Sequence, residues 1–377
     1  MRPPVPIPVP IRTAVDKMRA YNPPLEGRTK KLRLDFNENP IGCSPKVRQA
    51  LAKLSAAEIC SYPEQETVRR KMARHFRVRP EELLLTNGTD EALHVIVSTF
   101  VEPDDGVLIV EPTYAMYRFY SELAGARVLA PRYTREMHFP WQEVLATLSG
   151  DFSGQAVSSQ QSKSKDRVPR AAPPRVFFLP NPNSPTGNLL PPSEIRRILD
   201  AAKQTMVVID EAYFEFSGIT VISWIRRYAN LIVTRTFSKT NGLAGLRLGC
   251  IFVNRDLAGS MRKAQSPYPV NVGALAAAEA AMRDRAFIAR TVREVKAGRE
   301  KLERGLTRLS VRYFPSGGNF ILVYFGGRAK KIVASLGRKG ILLRDRSSDF
   351  SDEGYVRITA GTPAQTSRLL RALKAVL

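Results

Sequence analysis

Short apolar runs alternate with helical patterns from Leu83 to Val253, and that alternation constrains the fold more than any other feature. Leu83–Leu85, Val107–Val110, Val176–Leu179, Met206–Ile209, Leu231–Val233 and Leu248–Val253 read as buried strands. Between them lie helical patterns: one carries Ala92, Val95 and Ile96 inward, and others span Tyr114–Ala124, Pro140–Leu148 and Ser193–Ala202. Strands that alternate with helices predict an α/β fold, a mostly parallel central sheet with helices on both faces. Upstream, Ser44-Pro45 starts a helix as N-cap and first helical residue, with Val47, Leu51 and Leu54 on one face. A second helix carries Val68, Met72 and Phe76 at spacing four.

From about residue 255 the pattern changes. Helical patterns dominate through roughly 271–309; strands follow at Phe320–Tyr324, Ile341–Leu343 and Tyr355–Ile358, and helices at Lys330–Leu336 and Pro363–Val376. This tail reads as a smaller α+β domain. The expected division is an N-terminal arm over 1–34 that contributes to the small domain, a large domain over 35–255, and a small domain over 256–377. Residues 1–10 alternate with proline and predict an extended arm. Residues 149–174, rich in Ser, Gln, Lys and Pro, predict a flexible surface insertion within the large domain. No repeat period is visible.

The chain has 377 residues and a formal net charge of +23, an excess that favours anionic partners. Nucleic acid, an anionic membrane and phosphorylated small molecules all satisfy it, so charge alone does not choose. Three cysteines, Cys43, Cys60 and Cys250, lie far apart, and three histidines, His75, His94 and His138, form no ligand spacing. No metal site is expected, and reduced cysteines fit a cytoplasmic protein. No apolar run approaches transmembrane length, and the opening residues lack the apolar core of a signal peptide.

Chemistry concentrates at strand ends. Lys239 stands just past the run Leu231–Val233, among small residues, where open α/β sheets place ligands. In a pocket that lowers its pKa, such a lysine can form a Schiff base with an aldehyde; a plain solubilising loop lysine is the competing reading. Arg247, eight residues on, can bring a fixed charge to a phosphate. Asn87-Gly88-Thr89-Asp90-Glu91 joins a strand to a helix start, which makes either an anion site or a simple N-cap. Asp210 ends an apolar strand, where its carboxylate needs a positive partner such as a protonated heterocyclic nitrogen; an internal arginine or a helix-cap role is the competing reading. Tyr213 can donate to the same ligand. Tyr114 can stack on a flat ring or serve the core. Arg357 alternates with Val356 and Ile358 in a strand, so it either clamps a carboxylate or lies on an exposed face. No GxxxxGK[ST] loop, GxGxxG turn or GxSxG elbow is present.

Taken in order, Asn37-Glu38-Asn39-Pro40, Tyr62-Pro63-Glu64, Gly88-Thr89-Asp90-Glu91, Pro112-Thr113-Tyr114, Asn181-Pro182-Asn183-Ser184-Pro185-Thr186-Gly187, Asp210-Glu211-Ala212-Tyr213, Ser238-Lys239 and Gly245-Leu246-Arg247-Leu248-Gly249 resemble the fold-type I pyridoxal-phosphate aminotransferases. More narrowly, Arg344-Asp345 and Val356-Arg357-Ile358-Thr359, with the first two motifs, resemble the histidinol-phosphate aminotransferases. The resemblance runs from about Tyr21 to the C-terminus, interrupted by 149–174.

The resemblance implies pyridoxal 5'-phosphate as cofactor and assigns roles. Lys239 forms the Schiff base and shuttles the proton. Asp210 pairs with the ring nitrogen, and Tyr213 and Asn183 bond the ring oxygen. Tyr114 stacks on the ring; Gly88, Thr89, Asp90, Ser238 and Arg247 surround the phosphate. Arg357 takes the substrate carboxylate. Tyr21, Asn37 and Arg344 lie at the substrate, and Tyr62 reaches cofactor and substrate from a neighbouring subunit of a homodimer. Ser184 stands where many relatives have asparagine before Pro-Thr-Gly.

The expected reaction is transamination between L-histidinol phosphate and 2-oxoglutarate in histidine biosynthesis. Threonine-phosphate decarboxylase and aromatic aminotransferase are alternatives on the same fold. A cofactor-binding or nucleic-acid-binding regulator is the alternative of another class, favoured by charge alone; with no nucleic-acid motif present, nucleic acid is not the expected partner.

Overall fold

The structure, a computed structural model, describes residues 9–150, 172–350 and 352–377. Residues 1–8 of the expected extended stretch over 1–10, and most of the 149–174 insertion, therefore lie outside the described residues.

Twelve strands among the described residues form two sheets. They are β1 (Leu32–Leu34), β2 (Leu83–Asn87), β3 (Gly106–Ile109), β4 (Arg127–Leu129), β5 (Val176–Pro180), β6 (Met206–Asp210), β7 (Leu231–Thr236), β8 (Leu248–Phe252), β9 (Arg312–Phe314), β10 (Phe320–Tyr324), β11 (Ile341–Asp345) and β12 (Tyr355–Thr359). The large sheet has the order β2-β8-β7-β6-β5-β3-β4. Its pairs are parallel except those of β8, which runs antiparallel to both β2 and β7. A strand alternates its side chains between faces, and the core shows it. Leu83, Leu85, Phe177, Leu179, Val207 and Ile209 join one apolar cluster. Leu84, Val176, Phe178, Val208, Ile232 and Ile251 join the other. Burial on both faces is why these strands read as unbroken apolar runs.

The second sheet has the order β1-β11-β12-β10-β9. Its apolar face packs on Leu302, Leu306, Ile332, Leu336, Leu369 and Leu373. β1 arrives from the chain's start and pairs in parallel with β11, Leu32 opposite Ile341.

The expected elements recur with shifted ends, and the short ones not expected include β1, β4, β9 and the helix Ala56–Cys60. Each is three to five residues long, too short to show a period. The helical stretch 271–309 is two helices, Val272–Met282 and Arg285–Arg308. Asp284 leaves helical geometry between them, its carboxylate accepting from the Ser44 hydroxyl and lying 3.6 Å from Lys46 Nζ. No helix among the described residues is long and apolar enough to cross a membrane.

Candidate active site

The carboxyl ends of β2, β3, β5, β6 and β7 lie along one edge of the large sheet. Parallel pairing joins β3, β5, β6 and β7, and two antiparallel steps through β8 return β2 to the same direction. The segments just after these strands carry Gly88–Asp90, Tyr114, Asn181–Gly187 and Lys239; Asp210 is the last residue of β6, and Arg247 stands just before β8. Residues far apart in sequence thus share one rim, as the geometry of open sheets dictates.

Asp210 ends β6 and is buried, 5 % exposed. Its Oδ2 accepts from the Tyr117 hydroxyl at 2.7 Å and its Oδ1 from the Ala212 amide at 3.1 Å. Burial pushes its carboxyl above the usual range, opposed by the Tyr117 bond. Among the described residues no cation pairs with it. Tyr117 escaped the sequence reading; its only signal is its place three residues after Tyr114, the spacing that puts two helical side chains on one face. The two rings meet edge to face at 5.6 Å.

Tyr213 follows Asp210 by three residues and is buried. Asn37 Nδ2 donates to its hydroxyl oxygen at 2.8 Å. An amide nitrogen can only donate, so the Tyr213 hydroxyl hydrogen is left free for another acceptor. Asn37 is held on every side. Its amide N–H donates to Thr359 Oγ1, its Oδ1 accepts from that hydroxyl at 3.1 Å, and its carbonyl accepts from Asn319 Nδ2. It adopts φ +56°, a left-handed conformation asparagine tolerates. Expected as a substrate contact, Asn37 is here the residue that orients Tyr213.

The helix Gly88–Phe100 opens toward the rim. Thr89 Oγ1 is buried there without a hydrogen-bond partner. Asp90 accepts from the Tyr114 hydroxyl at 2.8 Å and pairs with Arg247 at 3.1 Å, which ties three of the expected residues together. Arg247 takes φ +55°. Gly88 takes φ +72°, where an L side chain is strained, and a Cβ there would also meet the Arg247 guanidinium; a Cβ on Gly249 would come within 2.6 Å of the Gly88 carbonyl carbon. Both positions therefore require glycine. Ser238 is nine-tenths buried, its amide donating to Thr236 Oγ1.

Lys239 Nζ donates to the Phe36 carbonyl at 3.1 Å and lies 5.8 Å from the Tyr213 ring centre. Arg357 is buried, 9 % exposed, as is all of β12. The exposed-face reading of this strand therefore fails. Its guanidinium donates to Ser184 Oγ at 3.0 Å and the Asp35 carbonyl at 2.6 Å, and its Nε has no partner. Burial lowers its pKa to about 10, with Arg346 and Arg344 adding repulsion and Tyr213 opposing them. Arg344 stands directly across from Arg357 in the β11–β12 register. Tyr21 acts electrostatically on both Tyr114 and Arg357, which places it at the rim.

Two expected contacts sit differently. Asn183 is buried, but Nδ2 donates both to the Pro112 carbonyl and to Thr186 Oγ1, and Oδ1 accepts from Thr113. Both its donor hydrogens are committed, so it has none for a ring oxygen. Its bonds to Pro112 and Thr113, some 70 residues away, are invisible in sequence. Tyr62 is 77 % exposed and stacks on Tyr268 at 4.3 Å, with no contact to the rim residues of its own chain among those described.

The donor set fits pyridoxal phosphate. A buried carboxylate without a cation suits a protonated ring nitrogen. An unpartnered threonine hydroxyl at a helix N-terminus, beside Arg247 and a cradle kept open by glycine, suits a phosphate. Among the described residues no cluster of His, Cys, Asp and Glu could hold a metal ion.

The family model described as aminotransferase class I and II matches residues 29–373. The histidinol-phosphate aminotransferase of Symbiobacterium thermophilum is 33% identical over 380 aligned positions, which cover 97% of this chain and 98% of that protein. The one from Dehalococcoides mccartyi is 33% identical over 371, 96% of each. Among solved structures, the Sinorhizobium meliloti histidinol-phosphate aminotransferase in complex with pyridoxal 5'-phosphate superposes with a TM-score of 0.84 at 23% identity over 97% of each chain. The L-threonine-O-3-phosphate decarboxylase of Porphyromonas gingivalis gives 0.75 at 25% identity, covering 91% of this chain and 98% of that one.

Proposed function

We propose that this chain, which belongs to the class I and class II aminotransferases, exchanges an amino group between L-histidinol phosphate and 2-oxoglutarate with pyridoxal 5'-phosphate as cofactor. The observation that carries the substrate assignment is the pair of guanidiniums in register on neighbouring strands, Arg344 and Arg357, with Arg346 adding to their field. Asp349 pairs with Arg346 and feels both other guanidiniums, so one carboxylate stands against three arginines, and buried Arg357 and half-buried Arg344 favour a further anion. A phosphate meets it with oxygens that accept bidentate bonds, and the distal carboxylate of glutamate uses the same fork.

The cofactor, when bound, supplies a protonated ring that draws electron density from the substrate carbon bearing the amine. Asp210 keeps the ring nitrogen protonated, and Tyr117 holds Asp210's carboxylate in place. Tyr213 donates its free hydroxyl hydrogen to the ring oxygen, oriented for that by Asn37. Thr89, Ser238, Arg247 and the amides opening the helix at Gly88 bind the phosphate. Lys239 Nζ removes the proton from the substrate carbon and returns it on the other side of the exchange. Arg357 binds the substrate's anionic end, and Tyr21 and Arg344 close over it.

The same reading takes the large domain as 35–255, with the arm and 256–377 forming the small one; the two sheets divide along those lines. It takes the active form as a cytoplasmic homodimer. An exposed, stacked Tyr62–Tyr268 pair supports the dimer, since two such rings on loops are suited to a neighbouring subunit. Threonine-phosphate decarboxylation remains the second reading because the same arginine pair suits any phosphorylated substrate; release of carbon dioxide separates the two. The test of the central assignment is Lys239→Ala. It should abolish both turnover and the visible absorbance of the lysine-bound cofactor, and an unchanged spectrum would refute it.

A further inference from the structure

A cavity of about 480 Å³ lies behind the Lys239 loop, lined by none of the rim residues. It opens between the sheet end and the first two turns of the helix Arg285–Arg308. Its volume falls in the range of small-molecule sites. Phe76, Phe214, Phe237, Met282, Ile288 and Val292 make its walls apolar. The helix contributes Arg285, Ile288, Ala289, Val292 and Arg293, the spacing of a single helical face. That face would ordinarily be buried against a neighbour, yet Arg285, Ala289 and Arg293 are exposed.

The polar groups here point to a ligand. Arg285 and Arg293, both in the lining, make no ion pair or hydrogen bond among the described residues. Asn241 lines the cavity nine-tenths buried, and its side chain has no hydrogen-bond partner among the described residues. Arg235, also in the lining, is already neutralised by Glu211 at 2.8 Å. One acid, Glu215, faces the space, accepting from Thr240 Oγ1 at 3.3 Å. Two unpaired guanidiniums therefore outweigh one carboxylate around an apolar floor, with a free amide inside.

We infer that this cavity binds a small monoanion with a flat apolar body, an aryl carboxylate in chemical class, at a site separate from the candidate active site. The ring packs on the phenylalanines, Asn241 bonds the carboxylate or a ring substituent, and Arg285 and Arg293 meet the charge. Phe237 and Asn241 each lie two residues from Lys239, so an occupant contacts the lysine's own loop from behind.

The probe is 2-naphthoate, titrated calorimetrically into the cofactor-loaded enzyme, with uncharged 2-naphthamide as control. A single site per chain is expected, with Kd on the order of 100 µM, the affinity a dozen or so heavy atoms can supply. Saturating 2-oxoglutarate should leave it unchanged. The double variant Arg285→Gln/Arg293→Gln should retain turnover and weaken naphthoate by about 10-fold or more while leaving naphthamide unaffected. Ala289→Trp, which fills the space, should abolish both. Displacement by 2-oxoglutarate, an unchanged affinity in the double variant, or no binding at all would overturn the inference. So would loss of the dimer in Ala289→Trp, because the face would then belong to a second copy of the chain.

Discussion

The Tyr117 hydroxyl donates to Asp210 Oδ2 at 2.7 Å, inside the apolar layer beneath the rim. Two groups 93 residues apart in sequence thus share one hydrogen. A hydrogen bond to the ionised form lowers a carboxyl pKa, and burial raises it. Tyr117→Phe removes the lowering influence. The acid limb of the kcat/KM profile should move to higher pH, with the cofactor still bound and turnover at neutral pH reduced roughly 10-fold. An unmoved limb would show that Tyr117 only packs.

Asp210→Asn separates stability from chemistry. Both hydrogen bonds can survive, since Asn can accept from Ala212 and donate to the Tyr117 oxygen. The native carboxyl's pKa is raised above its unfolded value. The folded state then holds the proton more tightly, so stability is greatest below the unfolded pKa and falls as pH rises through the folded one. The cofactor-free variant should therefore unfold at the same or a higher temperature than the parent near pH 7, an advantage that vanishes near pH 4. Turnover should drop by orders of magnitude because the ring nitrogen loses its charge partner.

Asn37→Asp tests the proton direction at Tyr213. A carboxylate accepts, so the Tyr213 hydrogen turns toward it and leaves the ring oxygen. The pH at which the bound cofactor's visible band titrates should rise, and kcat should fall about 10-fold, the value of one lost hydrogen bond. Wild-type titration in this variant would place Tyr213 elsewhere in the mechanism.

Glu211 and Arg235 form a buried pair below the site, with side-chain exposures of 1% and 8%. Glu211 also accepts from Thr220 and the Val221 amide. Glu211→Ala leaves Arg235 charged and unpaired, which costs about 3–5 kcal/mol. Denaturant unfolding should register that loss, and a change below about 1 kcal/mol would mean that water or Glu215 replaces the partner.

What was legible in the sequence follows from geometry. Strands buried on both faces advertise themselves as apolar runs, so Val207–Ile209 and Leu231–Val233 were unmistakable, and ligands at carboxyl ends then placed Asp210 and Lys239. Arg357 was ambiguous because period-2 alternation says which face a residue takes, not what covers it. Only the fold brings Asp35 and Ser184 over it. Asn37 and Asn183 are ligand contacts only by resemblance, and no sequence signal shows that their partners here, Tyr213 and Thr113, lie 176 and 70 residues away. Tyr117 reads as one more apolar helix position until its hydroxyl meets Asp210.

In the proposed function the Arg344–Arg357 pair selects a phosphorylated amine. The most direct measurement is kcat/KM for L-histidinol phosphate against unphosphorylated L-histidinol, with 2-oxoglutarate as acceptor, in the parent and in Arg357→Ala. The parent should prefer the phosphorylated donor by at least about 100-fold, the worth of two or so charge-assisted hydrogen bonds, and that preference should collapse in Arg357→Ala. Equal rates for the two donors in the parent enzyme would contradict it.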